Sequence, residues 1–165
     1  MAQITLHGNA TNTNAEIPQV GSQAPDFVLT KGDLADVTLA DYAGKKKLLN
    51  IVPSLDTPTC QVSTKKFNDA AKKHDDTVFL TVSADLPFAQ GRFCQAEDLE
   101  VIQTLSSSMR SNFAEDYGIK IVDGPLAGVT GRAVVVLDED NKVIHSQLVS
   151  EIGDEPDYDS ALATL

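Results

Sequence analysis

Lys47-Leu48-Leu49-Asn50-Ile51-Val52-Pro53-Ser54-Leu55-Asp56-Thr57-Pro58-Thr59-Cys60 decides how the chain folds. It opens on a brief apolar run, Lys47 to Val52, that Pro53 stops, the pattern of a buried central strand. From Pro58 the period changes. Cys60, Ser63, Thr64, Phe67, Ala71 and His74 recur at helical spacing, which lays them on one face of a helix with proline in its first turn.

Outward from this stretch the alternation continues. Val78 to Ser83 is a second buried-strand run, and Asp85 reads as the cap of a helix from Leu86 to about Ala96. A weaker helix over Asn112 to Tyr117 ends at Gly118. Ala133–Leu137 and Lys142–Leu148 flank the turn Asp138–Asn141 as a β-hairpin. Tyr158, Ala161, Leu162 and Leu165 then line a helix behind an acidic first turn. Before the central strand lie short strand candidates at Phe27–Leu29 and Val37–Leu39, and residues 1–20 read as an N-terminal β-hairpin. Strand, helix, strand, helix, hairpin and helix predict an α/β fold, a mixed sheet between helices, in one domain over residues 1–165.

Composition removes several classes. Lys+Arg 13 against Asp+Glu 24 gives a net charge of -11, which repels phosphate backbones and excludes nucleic acid as a partner. No apolar run approaches the roughly 20 residues of a membrane span. The start, Met1 to Gly8, lacks a basic, then apolar, leader. The chain reads as soluble, cytoplasmic and without a membrane partner. Phe88, Phe93 and Met109 read as core residues ahead of the lining of an apolar pocket mouth. Lys45-Lys46-Lys47 reads as a solvated loop.

Two cysteines, Cys60 and Cys94, lie 34 positions apart, without a Cys-x-x-Cys pair or zinc-ligand spacing. A permanent disulfide over that span would stabilise by about 3.8 kcal/mol on chain entropy, but a reducing compartment does not preserve it. A lone cysteine on a helix face is by default a small buried hydrophobe. Here the strand-end loop, Thr57 three residues upstream and the helix N-terminus argue for a reactive thiol at the mouth of a pocket, because such a terminus favours thiolate. Ionisation has a ceiling. Lowering a thiol from pKa ~8.5 to ~6 gains about 30-fold in thiolate at pH 7, so faster chemistry requires donors that polarise the electrophile.

The chain closely resembles the peroxiredoxins, in their thiol peroxidase (Tpx) branch of atypical two-cysteine enzymes. Pro53-x-x-x-Thr57-x-x-Cys60 matches the family motif, and Ser83 to Cys94 is similar to the branch's resolving-cysteine segment. Gly131 to Glu139 resembles its arginine-bearing hairpin, and Glu155-Pro156-Asp157-Tyr158 the start of its last helix. The resemblance implies a thioredoxin-like fold, a mixed central β-sheet flanked by helices with an N-terminal β-hairpin. It also implies a homodimer, and hydroperoxide reduction with thioredoxin as reductant and no metal, haem or flavin cofactor. Under it Cys60 is the peroxidatic cysteine, Cys94 the resolving one, and Pro53, Thr57 and Arg132 complete the pocket. By itself Arg132 reads as a surface charge.

With both cysteines on helices, disulfide formation calls for local unwinding around Cys94, which Gly91 assists. Two other classes accommodate a pair of thiols. One is a dithiol–disulfide oxidoreductase acting on proteins, against which the absent Cys-x-x-Cys argues; the other is a non-catalytic redox sensor or binding domain.

Overall fold

Every residue from Lys47 to Ile51 is buried in the computed structural model, which describes residues 1–165. In chain order the strands are β1 (Gln3–Leu6), β2 (Asn9–Asn12), β3 (Leu29–Thr30), β4 (Asp36–Val37), β5 (Lys46–Ile51), β6 (Thr77–Ser83), β7 (Gln103–Ser106), β8 (Ala133–Leu137) and β9 (Val143–Leu148). The helices are α1 (Pro58–Ala71), α2 (Pro87–Ala96), α3 (Phe113–Asp116) and α4 (Tyr158–Leu162).

Seven strands form one mixed sheet in the order β4-β3-β7-β6-β5-β8-β9. β5 pairs parallel with β6 and antiparallel with β8, with Leu48 opposite both Phe79 and Val136. Because strand side chains alternate, each central strand feeds two cores. Leu49, Ile51, Leu80, Val82 and Val135 pack with Phe27, Leu105 and Tyr117 on one side. Leu48, Phe79, Val134 and Val136 pack with Phe67 of α1 and Ala161 of α4 on the other. The expected mixed sheet flanked by helices is the observed architecture.

The expected N-terminal hairpin is β1–β2, turned by His7 and Gly8 with φ 51° and 81°. Positive φ at both central residues is the two-residue turn whose twist suits a hairpin. β1 docks through its backbone: Thr5 N–H donates to the Ser150 carbonyl at 2.8 Å, and Ile152 N–H to the Thr5 carbonyl at 2.9 Å.

Four local readings change. The polar segment Gln103–Ser106 forms β7, with Leu105 and Ser106 buried, which no apolar alternation announces. Lys47 is fully buried rather than in a solvated loop, its Nζ donating to Asn141 Oδ1 at 2.6 Å. Asp85 does not cap α2: Leu86 occupies that position without a side-chain cap bond. Phe88 is 65% exposed, because α2 turns Pro87 and Gln90 inward instead.

α3 closes as expected at Gly118, where Gly118 N–H donates to the Glu115 carbonyl and Ile119 N–H to the Ala114 carbonyl. Gly118 has φ 70°, and a Cβ there would overlap the Glu16 backbone. Gly118→Ala is therefore expected to destabilise by about 2–4 kcal/mol, from left-handed strain plus overpacking. Urea unfolding with an unchanged m-value measures it.

Candidate active site

β5 and the loop that leaves it position the thiol. Pro53 is buried at the strand end, and Thr57 opens α1 as its N-cap with Pro58 behind it. The Thr57 hydroxyl donates to the Ser54 carbonyl at 3.1 Å and accepts no helix N–H. Pro58 has no donor, and the N–H groups of Thr59 and Cys60 make no backbone hydrogen bond. The first turn of α1 thus presents uncommitted donors beside Cys60. Deeper in the helix, the Ser63 and Thr64 hydroxyls both donate to the Cys60 carbonyl, at 3.2 and 2.7 Å.

Arg132 comes from the residue before β8. It is 2% exposed, donating from Nε to the Ile152 carbonyl at 2.9 Å and from Nη1 to Cys60 Sγ at 3.1 Å. Its fork is thereby fixed at two points, one of them the sulfur. Gly131 precedes Arg132, and a Cβ there would meet Leu148 Cδ1 tightly at 3.1 Å. Arg132 is not the surface charge that its isolated sequence position suggests.

Cys60 itself is 0% exposed, packed with Val52 and Leu55 beneath half-buried Phe93 of α2. The thiol expected at a pocket mouth is instead buried, in a cluster against which Phe93 packs. A cavity of about 590 Å³ lies alongside, and Leu55 and Phe93 line it together with Ser54, Asp85 and Arg92. Both cysteines are free. Cys94 packs against the other core cluster, which includes Phe67 and Phe79, and is not bonded to Cys60. Burial pushes the Cys94 thiol above its ordinary range, with Thr104 opposing.

A family model described as Redoxin matches residues 19–162. A thiol peroxidase of Mycobacterium bovis is 52% identical over 165 residues, covering 100% of this chain and 99% of that protein. The chain belongs to the thiol peroxidase branch of the Redoxin family. A peroxiredoxin-like protein from Aquifex aeolicus matches it with a TM-score of 0.91 at 35% identity, over 99% of this chain and 95% of that one. A thiol peroxidase from Chromobacterium violaceum has the same fold, with a TM-score of 0.89 at 21% identity over 96% of this chain and 91% of that one. The architecture is the thioredoxin-like fold of the family, with the hairpin added at its N-terminus.

No group of three or more His, Cys, Asp or Glu side chains is placed to hold a metal ion, and no helix is long and apolar enough to cross a membrane. The Glu155–Tyr158 block packs over α1. The Tyr158 hydroxyl donates to Glu155 Oε1 at 2.8 Å, and Lys66 Nζ lies 3.1 Å from that oxygen and 4.7 Å above the Tyr158 ring.

Sequence reasoning passed over the segment that steadies Arg132. Besides the Ile152 carbonyl on the guanidinium, the Gly153 carbonyl accepts from the Thr59 hydroxyl at 2.9 Å, next to Cys60. Glu151 ties this segment to the hairpin, accepting from Gly8 N–H at 2.9 Å, Gly153 N–H at 2.9 Å and the Thr5 hydroxyl at 3.0 Å. An acidic residue flanked by glycine two positions on is the only local signal, and it is a weak one.

The Gly153 and Gly8 donors, ahead of Thr5, hold Glu151 down to about 2 from an ordinary 4.5. A carboxylate depressed by folding adds stability that is complete above its unfolded pKa and lost as pH falls through the folded one. Over the window from about 4.5 down to about 2, Glu151→Gln is expected to show a shallower acid loss of stability than the parent protein. Thermal melts across that range measure the difference, and parallel slopes would contradict it.

Proposed function

We propose that this chain, acting as one thioredoxin-like domain in the cytoplasm, reduces hydrogen peroxide and organic hydroperoxides through a two-cysteine cycle. The observation that carries the reading is the Arg132 guanidinium 3.1 Å from Cys60 Sγ, both groups buried and next to a cavity. A donor fixed where charge develops is the largest lever available to such a site.

In the first step Cys60, as thiolate, attacks the terminal peroxide oxygen. The S–O bond forms as the O–O bond breaks, and the departing oxygen takes a proton to leave as water or alcohol. The sulfur is oxidised to sulfenic acid. Arg132 stabilises the charge moving onto the departing oxygen. Thr57, its hydroxyl proton held by Ser54, keeps lone pairs for the peroxide proton, and Pro53 shields the sulfur without a competing N–H.

In the second step the Cys94 thiol condenses with the sulfenic acid to a disulfide, expelling water. A dithiol, thioredoxin in this reading, then reduces the bond by exchange and is itself oxidised to a disulfide. Nothing in this cycle calls on a cofactor. The exposed apolar side chains of Leu86 and Phe88 at the start of α2 support a second copy of the chain as a partner in a homodimer.

Disulfide formation requires Cα atoms within about 7 Å, so α2 must release Cys94 from the core that now holds it. Gly91 favours release. A Cβ there would meet nothing, so packing does not demand glycine, which costs a helix about 1 kcal/mol relative to alanine.

Cys60→Ser is expected to abolish turnover with thioredoxin and its reductase. Cys94→Ser should still form one sulfenic acid per chain but fail to cycle. Turnover undiminished in Cys60→Ser would end the proposal, and a coupled assay with mass spectrometry decides it. Separately, Gly91→Ala should slow disulfide closure by about 5-fold, the rate equivalent of about 1 kcal/mol added to the helix, while leaving the peroxide step unchanged. Rapid-quench mass spectrometry resolves the two steps.

A further inference from the structure

We infer that Asp85 is a positioning residue for the peroxide step: its carboxylate clamps the Cys60 loop to the base of the Cys94 helix and holds both in the arrangement that attacks peroxide. The inference rests on the two-cysteine cycle proposed above. Asp85 Oδ1 accepts from the Ser54 hydroxyl at 2.7 Å, and Oδ2 accepts from Leu55 N–H and from the Ser83 hydroxyl, each at 2.7 Å. Two of these donors belong to the Cys60 loop and the third ends β6.

Each side of the clamp reaches one residue further. The Ser54 carbonyl accepts from the Thr57 hydroxyl, and Ser83 Oγ accepts from Gln90 Nε2 at 3.0 Å. Gln90 lies one turn before Cys94 and is fully buried, donating also to the Leu105 carbonyl at 2.9 Å. Its own Oε1 has no partner in the protein, so the anchorage of α2 is incomplete where Asp85 supports it. Asp85 neither caps α2 nor enters an ion pair within 4.0 Å. What remains for the carboxylate is to join the Cys60 loop to the end of β6, the point from which Ser83 holds Gln90 of α2.

A carboxylate does this because it accepts at both oxygens and donates nothing. The amide of Asp85→Asn has the same shape but turns an NH₂ toward one of the three donors. With charge-assisted bonds stronger than neutral ones, the clamped arrangement should lose about 10-fold in population relative to the released one. Two consequences of opposite sign follow. Ser54 and Thr57 lose a fixed acceptor and are oriented less firmly within the clamped arrangement, so the peroxide step slows by about 3-fold; α2 is released more readily from a mainly clamped population, so disulfide closure quickens by up to about 10-fold.

The test is rapid-quench mass spectrometry, suited to a chain with no tryptophan, on the parent protein, Asp85→Asn, Ser54→Ala and the double variant. Sulfenic acid is counted against time at several hydrogen peroxide concentrations and disulfide after one saturating pulse. A slower first step with a faster second in Asp85→Asn supports the clamp. So does the same split, smaller, in Ser54→Ala with less than additive effects in the pair. Both steps slowing together, as general destabilisation produces, or neither changing, would overturn it. Should Asp85→Asn fail to fold, the split in Ser54→Ala decides alone, present or absent. A parent protein that forms no Cys60–Cys94 disulfide would overturn the cycle and the clamp with it; a parent that cycles beside variants without the split overturns the clamp only.

Discussion

A guanidinium shut away from water must find acceptors inside the protein, because an unpaired buried charge costs several kcal/mol. Arg132 meets that demand with one backbone carbonyl and one sulfur. Sheet register brings it there. β8 runs antiparallel to β5 with Ala133 opposite Ile51, which sets Arg132 one step beyond the strand end, beside the loop that leads to Cys60. A slip of one residue would turn the guanidinium to the other face of the sheet. The bonds from hairpin to the 150–153 segment, and from that segment to Arg132 and Thr59, steady the same contact from outside the sheet.

How far the sequence discloses this depends on the range of the interaction. Period and punctuation are local, so β5, α1, the β8–β9 hairpin and the thiol at the start of α1 can be read directly from Lys47–Cys60 and Ala133–Leu148. Arg132 cannot, since its significance lies in a partner 72 residues away that only strand register brings close; the family motif blocks promoted it where spacing did not. β7 escaped for a related reason. Gln103-Thr104-Leu105-Ser106 has little apolar character, and it is a strand because β6 and β3 offer it edges and Gln90 donates to its backbone.

Asp85 shows a local signal with two solutions. An acidic residue ahead of Leu-Pro is a sound capping pattern, yet two donors from the Cys60 loop and one from the end of β6 outcompete a helix terminus whose first residue is a proline. Lys47 is similar: a run of three lysines suggests solvent, but its side chain extends along the sheet to Asn141 in the β8–β9 turn. The burial of Cys60 is equally outside sequence reach, because it depends on tertiary packing with Val52, Leu55 and Phe93. The observed packing holds sulfur and guanidinium together, and the disulfide of the proposed cycle calls for another.

In the proposed cycle Arg132 acts on the breaking oxygen–oxygen bond, beyond any help it gives to ionising the sulfur. The direct measurement compares Arg132→Met with the parent protein in two reactions of Cys60, oxidation by hydrogen peroxide and alkylation by iodoacetamide, both followed by rapid-quench mass spectrometry. Ionisation alone accounts for about 30-fold in either reaction. If Arg132 polarises the breaking bond, the peroxide rate constant falls by at least about 100-fold while alkylation falls by clearly less. Equal losses in the two reactions would contradict it.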